Sequence, residues 1–210
     1  MAKAGFELFY AARVRNILHY LGQFFLIIGC LNIVNVFVAF LYKEHSIGIS
    51  YVMIVTLLLG SGLAFSRIHL KGQLQLNEAM VVATMVFVFV PLLTALPLYA
   101  TGLAYVDSLF ETVSAVTTTG LSTLGPVDSR PQTFVFARAW MQWYGGLGIV
   151  VLSLALVVRP GMSAMRLAMI ESGEDDLAGG TRAFAKKTLL VYLAISATCL
   201  IFWLILGGQP

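Results

Sequence analysis

The run SAVTTTGL, residues 114–121, sets Thr117, Thr118 and Thr119 beside Gly120 and Leu121 within one of the most apolar parts of a 210-residue chain. Threonine tolerates extended backbone, and glycine adopts dihedral angles closed to other residues, so such a run can point successive carbonyls the same way. An array of this kind replaces the water shell of a cation with backbone oxygens. Non-helical backbone at membrane depth is viable only where it is buried in protein or lines a water-filled path. Residues Thr117, Thr118, Thr119, Gly120 and Leu121 therefore read as one strand of an ion-selectivity filter, with the Thr118 and Thr119 carbonyls as first candidates for the cation. The competing reading of the same spacing is a helix-ending turn in which the threonines cap backbone groups.

Such a loop needs an element to carry it to depth. The preceding residues, YVDSLFETVSAV, offer about 12 helix-compatible positions that rise only ~18 Å, well short of the ~30 Å hydrocarbon core. Ser108 followed by Glu111 fits a capping box, and Asp107 adds negative charge at the first turn. Asp107, Ser108 and Glu111 are thus the expected support of a half-length pore helix. Its carbonyl end, directed inward, favours a cation.

The surrounding chain is 59% hydrophobic and 11% charged, and holds five long apolar segments at 17–41, 47–66, 79–99, 135–158 and 188–206. Each is near the ~20 residues that cross a bilayer as helix. The expected fold is an all-α integral membrane protein with five transmembrane helices, one re-entrant pore helix and an extended filter loop. A soluble bundle is disfavoured because amphipathic stripes are largely missing, and the first segment is too long for a cleaved signal. Cys30 and Cys199 lie in apolar spans, which leaves no disulfide framework or four-ligand zinc site and reads as inert packing. The net charge of +3 is spread among loops, so no nucleic-acid partner is expected. No nucleophile motif or phosphate-binding loop occurs, so the chain does not read as an enzyme and no cofactor is expected.

With a cytoplasmic N-terminus and a segment 107–119 that dips without crossing, only Lys43, Arg130 and Arg138 of the 13 basic residues fall outside. That asymmetry is what the positive-inside rule requires, and a sixth crossing would destroy it. The implied organisation is an N-terminal pair of transmembrane helices (1–78), a helix–pore helix–filter–helix unit (79–160), a cytoplasmic linker (161–187) and the first helix of an incomplete second unit (188–210). The linker holds ESGEDDLAGGT, whose Glu171, Glu174, Asp175 and Asp176 lack EF-hand spacing and read as a solvated stretch rather than a metal site.

Other residues carry smaller expectations. His19, Gln23, Asn32 and Asn35 recur at helical spacing in the first span and suit helix–helix hydrogen bonding. Pro91 and Pro97 are expected to bend the third span around the pore helix, and His45 and His69 receive no chemical role. Trp140, Trp143 and Tyr144 suit either an interfacial belt or contact with the pore helix, and Arg138 has Glu111 and Asp128 as possible partners.

Two stretches carry a resemblance. DSLFETVSAVTTTGLS is similar to the first pore helix and filter of the Trk/Ktr/HKT potassium transporters, with Gly120 at the filter glycine. RAWMQWYGGLGIVVLS resembles the helix that follows, with Gln142, Trp143, Gly145, Gly146, Gly148 and Ile149 at matching positions. The likeness, strongest to the bacterial TrkH branch, covers roughly residues 79–210, and the first two helices resemble that branch's extra N-terminal pair. It implies K⁺ as the transported ion, a bacterial inner-membrane location, a homodimer and a cytoplasmic nucleotide-binding gating subunit. It also implies four filter strands around one path, of which this chain supplies one, so the remaining pore units must come from a longer polypeptide or from other chains. Glycine rather than serine at position 120 leans toward K⁺ over Na⁺ in that superfamily. A non-conducting scaffold or assembly subunit, and a secondary transporter with a broken helix, are the alternatives.

Overall fold

The computed structural model describes residues 12–70, 72, 75–125, 130–157 and 177–206. Among them are six helices and no strand: α1 (Val14–Leu41), α2 (His45–Ser66), α3 (Leu76–Tyr99), α4 (Tyr105–Val116), α5 (Gln132–Val157) and α6 (Leu177–Ile205). The five apolar segments fall on α1, α2, α3, α5 and α6, and the half-length helix on α4. Four spans are long and apolar enough to cross a membrane: Val14–Leu41, His45–Ser66, Asn77–Tyr99 and Lys186–Ile205. At 26 residues, α5 rises about 39 Å, which also exceeds the hydrocarbon core.

The chain divides into two compact units, Met1–Gly145 and Gly146–Pro210. In the second, α6 begins inside the stretch expected as a linker. Leu, Ala, Arg and Lys in LAGGTRAFAKK favour helix, and the two glycines fall in the first turn, where backbone N–H groups have no intrahelical partner in any case. The acidic residues Glu171, Glu174, Asp175 and Asp176 lie outside the described residues, as does Asp128.

The first unit is built on an antiparallel hairpin of α1 and α2. At the end of α1 the Glu44 N–H reaches the Ala39 carbonyl (2.8 Å) and the Lys43 N–H that of Phe40 (3.1 Å), with Lys43 at φ 60°. This paired bonding is a Schellman closure, and it reverses the chain within three residues. Leu21, Phe25 and Ile28 of α1 then pack with Ile47, Tyr51, Ile54 and Leu58 of α2, in one core with Val90, Leu98, Val116, Phe134 and Met141 from α3, α4 and α5.

The start of α3 is tied to that of α1 through Glu78, which is wholly buried. Its carboxylate accepts the Arg13 Nε–H (2.7 Å), the Arg13 backbone N–H (2.9 Å) and the Gln75 N–H (3.0 Å). An apolar bundle tolerates this charge only because every oxygen is paired. Pro91 and Pro97 both lie within α3, which stays one helix through them.

Candidate ion-coordinating loop

The chain leaves α3 through a short turn and enters α4 with Ala104 as N-cap, in extended backbone. The helix therefore starts before the expected cap. Ser108 is already helical, and its hydroxyl donates to the Ala104 carbonyl (3.1 Å), so the capping box of Ser108 and Glu111 does not form. Asp107 does lie in the first turn, as expected. Its carboxylate accepts a long hydrogen bond from the Thr123 hydroxyl (3.4 Å). On the other side, the Thr112 hydroxyl reaches the Pro91 carbonyl (3.1 Å) and ties α4 to α3.

The end of α4 determines what the threonine run can do. The N–H groups of Thr117, Thr118 and Thr119 donate to the carbonyls of Val113 (2.9 Å), Ala115 (3.0 Å) and Ser114 (2.9 Å), and the Gly120 N–H also reaches Ser114 (3.4 Å). Thr118 occupies the left-handed region at φ 57°, the position glycine usually takes in a Schellman closure, and Gly120 follows at φ 77°. A trans peptide is planar, so the carbonyl preceding each N–H points the opposite way. With the N–H groups of Thr118, Thr119 and Gly120 turned back onto the helix, the carbonyls of Thr117, Thr118 and Thr119 point away from it. Among the described residues, none of these three carbonyls accepts a hydrogen bond. Thr118, Thr119 and Gly120 are exposed.

Leu121 behaves differently. Its carbonyl accepts the Ser114 hydroxyl (2.6 Å) and is approached by Arg138 Nη2 (3.5 Å). The five residues expected to act together thus separate into three with free, outward carbonyls, Gly120 as the turn, and Leu121 as an anchor to the scaffold.

Glu111 is the centre of that scaffold. One carboxylate oxygen accepts the Ser122 hydroxyl (2.7 Å) and the Thr123 N–H (3.0 Å), and the other stands 2.8 Å from Arg138 Nε. Glu111 is completely buried and Arg138 only 9% exposed. Of the two partners open to Arg138 in the sequence, Glu111 is the one it pairs with. A charged pair this deep holds its geometry firmly, because losing either member strands the other. Its effect is to clamp the returning segment, Leu121 to Thr123, against the side of α4.

Depth is set by α5. A Cβ at Gly145 would collide with the Val116 carbonyl oxygen, so glycine is what lets α5 touch the end of α4. Gly145 lies 13 residues past Gln132, about 20 Å along α5, while α4 itself rises about 18 Å. The end of α4 therefore lies halfway along its neighbour. The aromatic residues of α5 also meet the first helix. Trp140 donates its indole N–H to the Leu31 carbonyl of α1 (2.8 Å) and stacks on Phe136 and Trp143, while Tyr144 is buried against Asn32.

Among the remaining polar residues of α1, His19 reaches outside the helix to the Ile68 carbonyl just past α2 (2.8 Å), whereas Gln23 bonds His19 (3.0 Å) and Asn35 donates to Asn32 (3.0 Å) within α1 instead of between helices. Cys30 is a free thiol exposed on α1 instead of being packed in the core. Sequence reasoning missed Ser114, Ser122 and Thr123 as anchors and Glu44 as the acceptor at the start of α5. The serines and threonines flank the filter run and were open to notice, whereas nothing local to Glu44 announces a partner 88 residues away.

Helices of membrane-crossing length around a half-length helix and a loop of outward carbonyls define the class of a multi-pass membrane transport protein. Residues 45–208 match the family model of the TrkH cation transport proteins, and the chain belongs to that family. It is 31% identical over 182 residues to the Trk system potassium uptake protein TrkH of Salmonella typhimurium, covering 82% of this chain and 37% of that protein. It is 26% identical over 207 residues to the Trk system potassium uptake protein TrkG of Escherichia coli, covering 95% and 42%. An uncharacterized cation transporter of Methanocaldococcus jannaschii is 29% identical over 182 residues, covering 86% and 38%. The crystal structure of the potassium transporter TrkH from Vibrio parahaemolyticus shares the fold, with a TM-score of 0.74 at 24% identity over 92% of this chain and 40% of that one. The chain thus spans about two fifths of the length of the relatives it matches.

Proposed function

We propose that this chain forms the N-terminal part of a potassium-uptake protein and supplies one strand of a backbone-carbonyl selectivity filter. K⁺ sheds water to the carbonyls of Thr117, Thr118 and Thr119, Gly120 provides the turn, and Leu121 anchors the strand. The observation that carries this reading is the direction of the N–H groups of Thr118, Thr119 and Gly120, which turn back onto α4 and leave three carbonyls unpaired. Asp107 and Glu111 act as support rather than as ligands, because one Glu111 oxygen is taken by Ser122 and Thr123 and the other faces the Arg138 guanidinium.

One strand does not enclose an ion, so further pore units complete the ring, either on the same longer polypeptide or on other chains. The reading extends, by the family resemblance alone, to a homodimer with a cytoplasmic nucleotide-binding gating subunit in a bacterial inner membrane. A cytoplasmic N-terminus follows from the positive-inside rule. In that orientation α4 enters from the outer face together with Glu44 and the start of α5. The segment 79–160 is then the first complete pore unit, and α6 opens a second.

The test is K⁺ uptake by uptake-deficient bacteria at low external K⁺, comparing the full-length protein that contains this segment, its Gly120→Asp variant and the 210-residue segment alone. Growth that is lost in an equally expressed Gly120→Asp protein supports the filter. Undiminished uptake by Gly120→Asp overturns it and leaves the threonine run as a helix-ending turn. Full-length protein that supports no growth although correctly inserted favours a non-conducting scaffold.

A further inference from the structure

The α1–α2 hairpin lies outside the pore unit, yet it holds α5 by three hydrogen bonds along its first half, at Gln132, Thr133 and Trp140. At the start of α5, the two carboxylate oxygens of Glu44 accept the N–H groups of Gln132 (2.9 Å) and Thr133 (3.1 Å), two donors that a helix leaves unsatisfied. Two turns further on, Trp140 donates to the Leu31 carbonyl. One turn beyond that, Tyr144 is buried among Asn32 of α1 and Tyr51 of α2.

At 100° per residue, Thr133, Phe136, Trp140 and Tyr144 share one face of α5, while Phe134, Arg138, Met141 and Gly145 share another roughly 130° away. The second face grips the filter: Arg138 pairs with Glu111 and approaches the Leu121 carbonyl, and Gly145 receives Val116. Any rotation or slide of α5 relative to the hairpin therefore moves the clamp that sets the carbonyl loop. The polar character of this junction also needs a reason. Asn35 Oδ1 and the hydroxyls of Tyr51 and Tyr144 are buried without a completed hydrogen bond, which a purely adhesive helix contact would avoid.

We propose that the hairpin is a positioning element for the filter, acting through α5, with Glu44, Trp140 and Tyr144 as its positioning residues. This inference rests on the filter reading above. None of the three side chains touches the ion. They hold the rotation and height of α5, and so fix the spacing of the Thr117 to Thr119 carbonyls on which ion discrimination depends.

The experiment measures K⁺ and Na⁺ fluxes into liposomes containing the full-length protein, as wild type, Trp140→Phe, Glu44→Gln and Gly120→Ser. Phenylalanine keeps an aromatic ring beside Phe136 and Trp143 but loses the N–H donor and part of the indole's area, and glutamine keeps one acceptor of Glu44 and loses the other. Each is expected to raise the Na⁺/K⁺ flux ratio by roughly three- to tenfold, the span that about one lost hydrogen bond produces. A merely structural role lowers the amount of folded protein, seen as monodispersity in detergent, but leaves the ratio per molecule unchanged. Ratios that stay at the wild-type value in both variants, while Gly120→Ser raises it, overturn the positioning role and leave the filter reading intact. A ratio that does not move in Gly120→Ser overturns the filter reading itself. Should Trp140→Phe fail to fold, Glu44→Gln at the exposed end of the hairpin decides.

Discussion

The ends of α1 and α4 close with the same backbone motif and then do opposite things. In each, the residue after the cap takes a left-handed conformation, Lys43 at φ 60° and Thr118 at φ 57°, and two N–H groups fold back on the last turn. After Lys43 the next helix begins two residues later, at His45. After Thr118 a second left-handed residue, Gly120, turns the chain again, and Leu121 to Thr123 are then held by Ser114 and Glu111. A single left-handed residue stops a helix. A second one, with buried polar anchors behind it, keeps the backbone open and its carbonyls free.

The comparison breaks most severely at the anchor. Glu111→Gln removes the charge facing buried Arg138, and losing one member of a buried pair costs about 3–5 kcal/mol. Uptake should disappear together with most of the folded protein, whereas Glu111→Gln combined with Arg138→Gln should recover part of the protein without recovering uptake; detergent melting and flux assays separate the two.

Ser114→Ala is milder. It leaves the Leu121 carbonyl with only the 3.5 Å approach of Arg138, a loss of about 1 kcal/mol. Near-normal expression with weakened preference for K⁺ is expected from competition fluxes, and an unchanged preference would show that Leu121 needs no anchor.

The smallest effects sharpen the comparison by treating both ends alike. Glycine in place of Lys43 relieves a left-handed backbone cost of about 1–2 kcal/mol, so Lys43→Gly should melt slightly higher and transport as before. Thr118→Gly relieves the same cost but adds backbone freedom beside Gly120, so K⁺ preference should fall although the protein is no less stable. Equal transport by the two variants would mean that both turns serve only to end helices.

Much of this is legible in the sequence. Apolar length gave the five long helices, because the bilayer fixes how many residues a span needs. The 12-residue stretch was too short to cross, and α4 is indeed 12 residues long. The start of α4 departs from the expected one because Ser108 and Glu111 satisfy a capping pattern in sequence while Glu111 has better partners across the loop. The aromatics of α5 left two roles open in the sequence, because amphipathic rings suit both a membrane surface and a helix junction.

What the sequence alone determined is local: span lengths, the short helix, and a glycine where φ must be positive. Bilayer thickness and backbone sterics impose these residue by residue. Only the tertiary structure decided that Leu121 turns its carbonyl inward, that Glu111 clamps the loop, and that Glu44 caps a helix 88 residues away. Those choices belong to buried polar groups, whose partners are selected by which elements packing brings together, since an unpaired charge in an apolar bundle is too costly to keep.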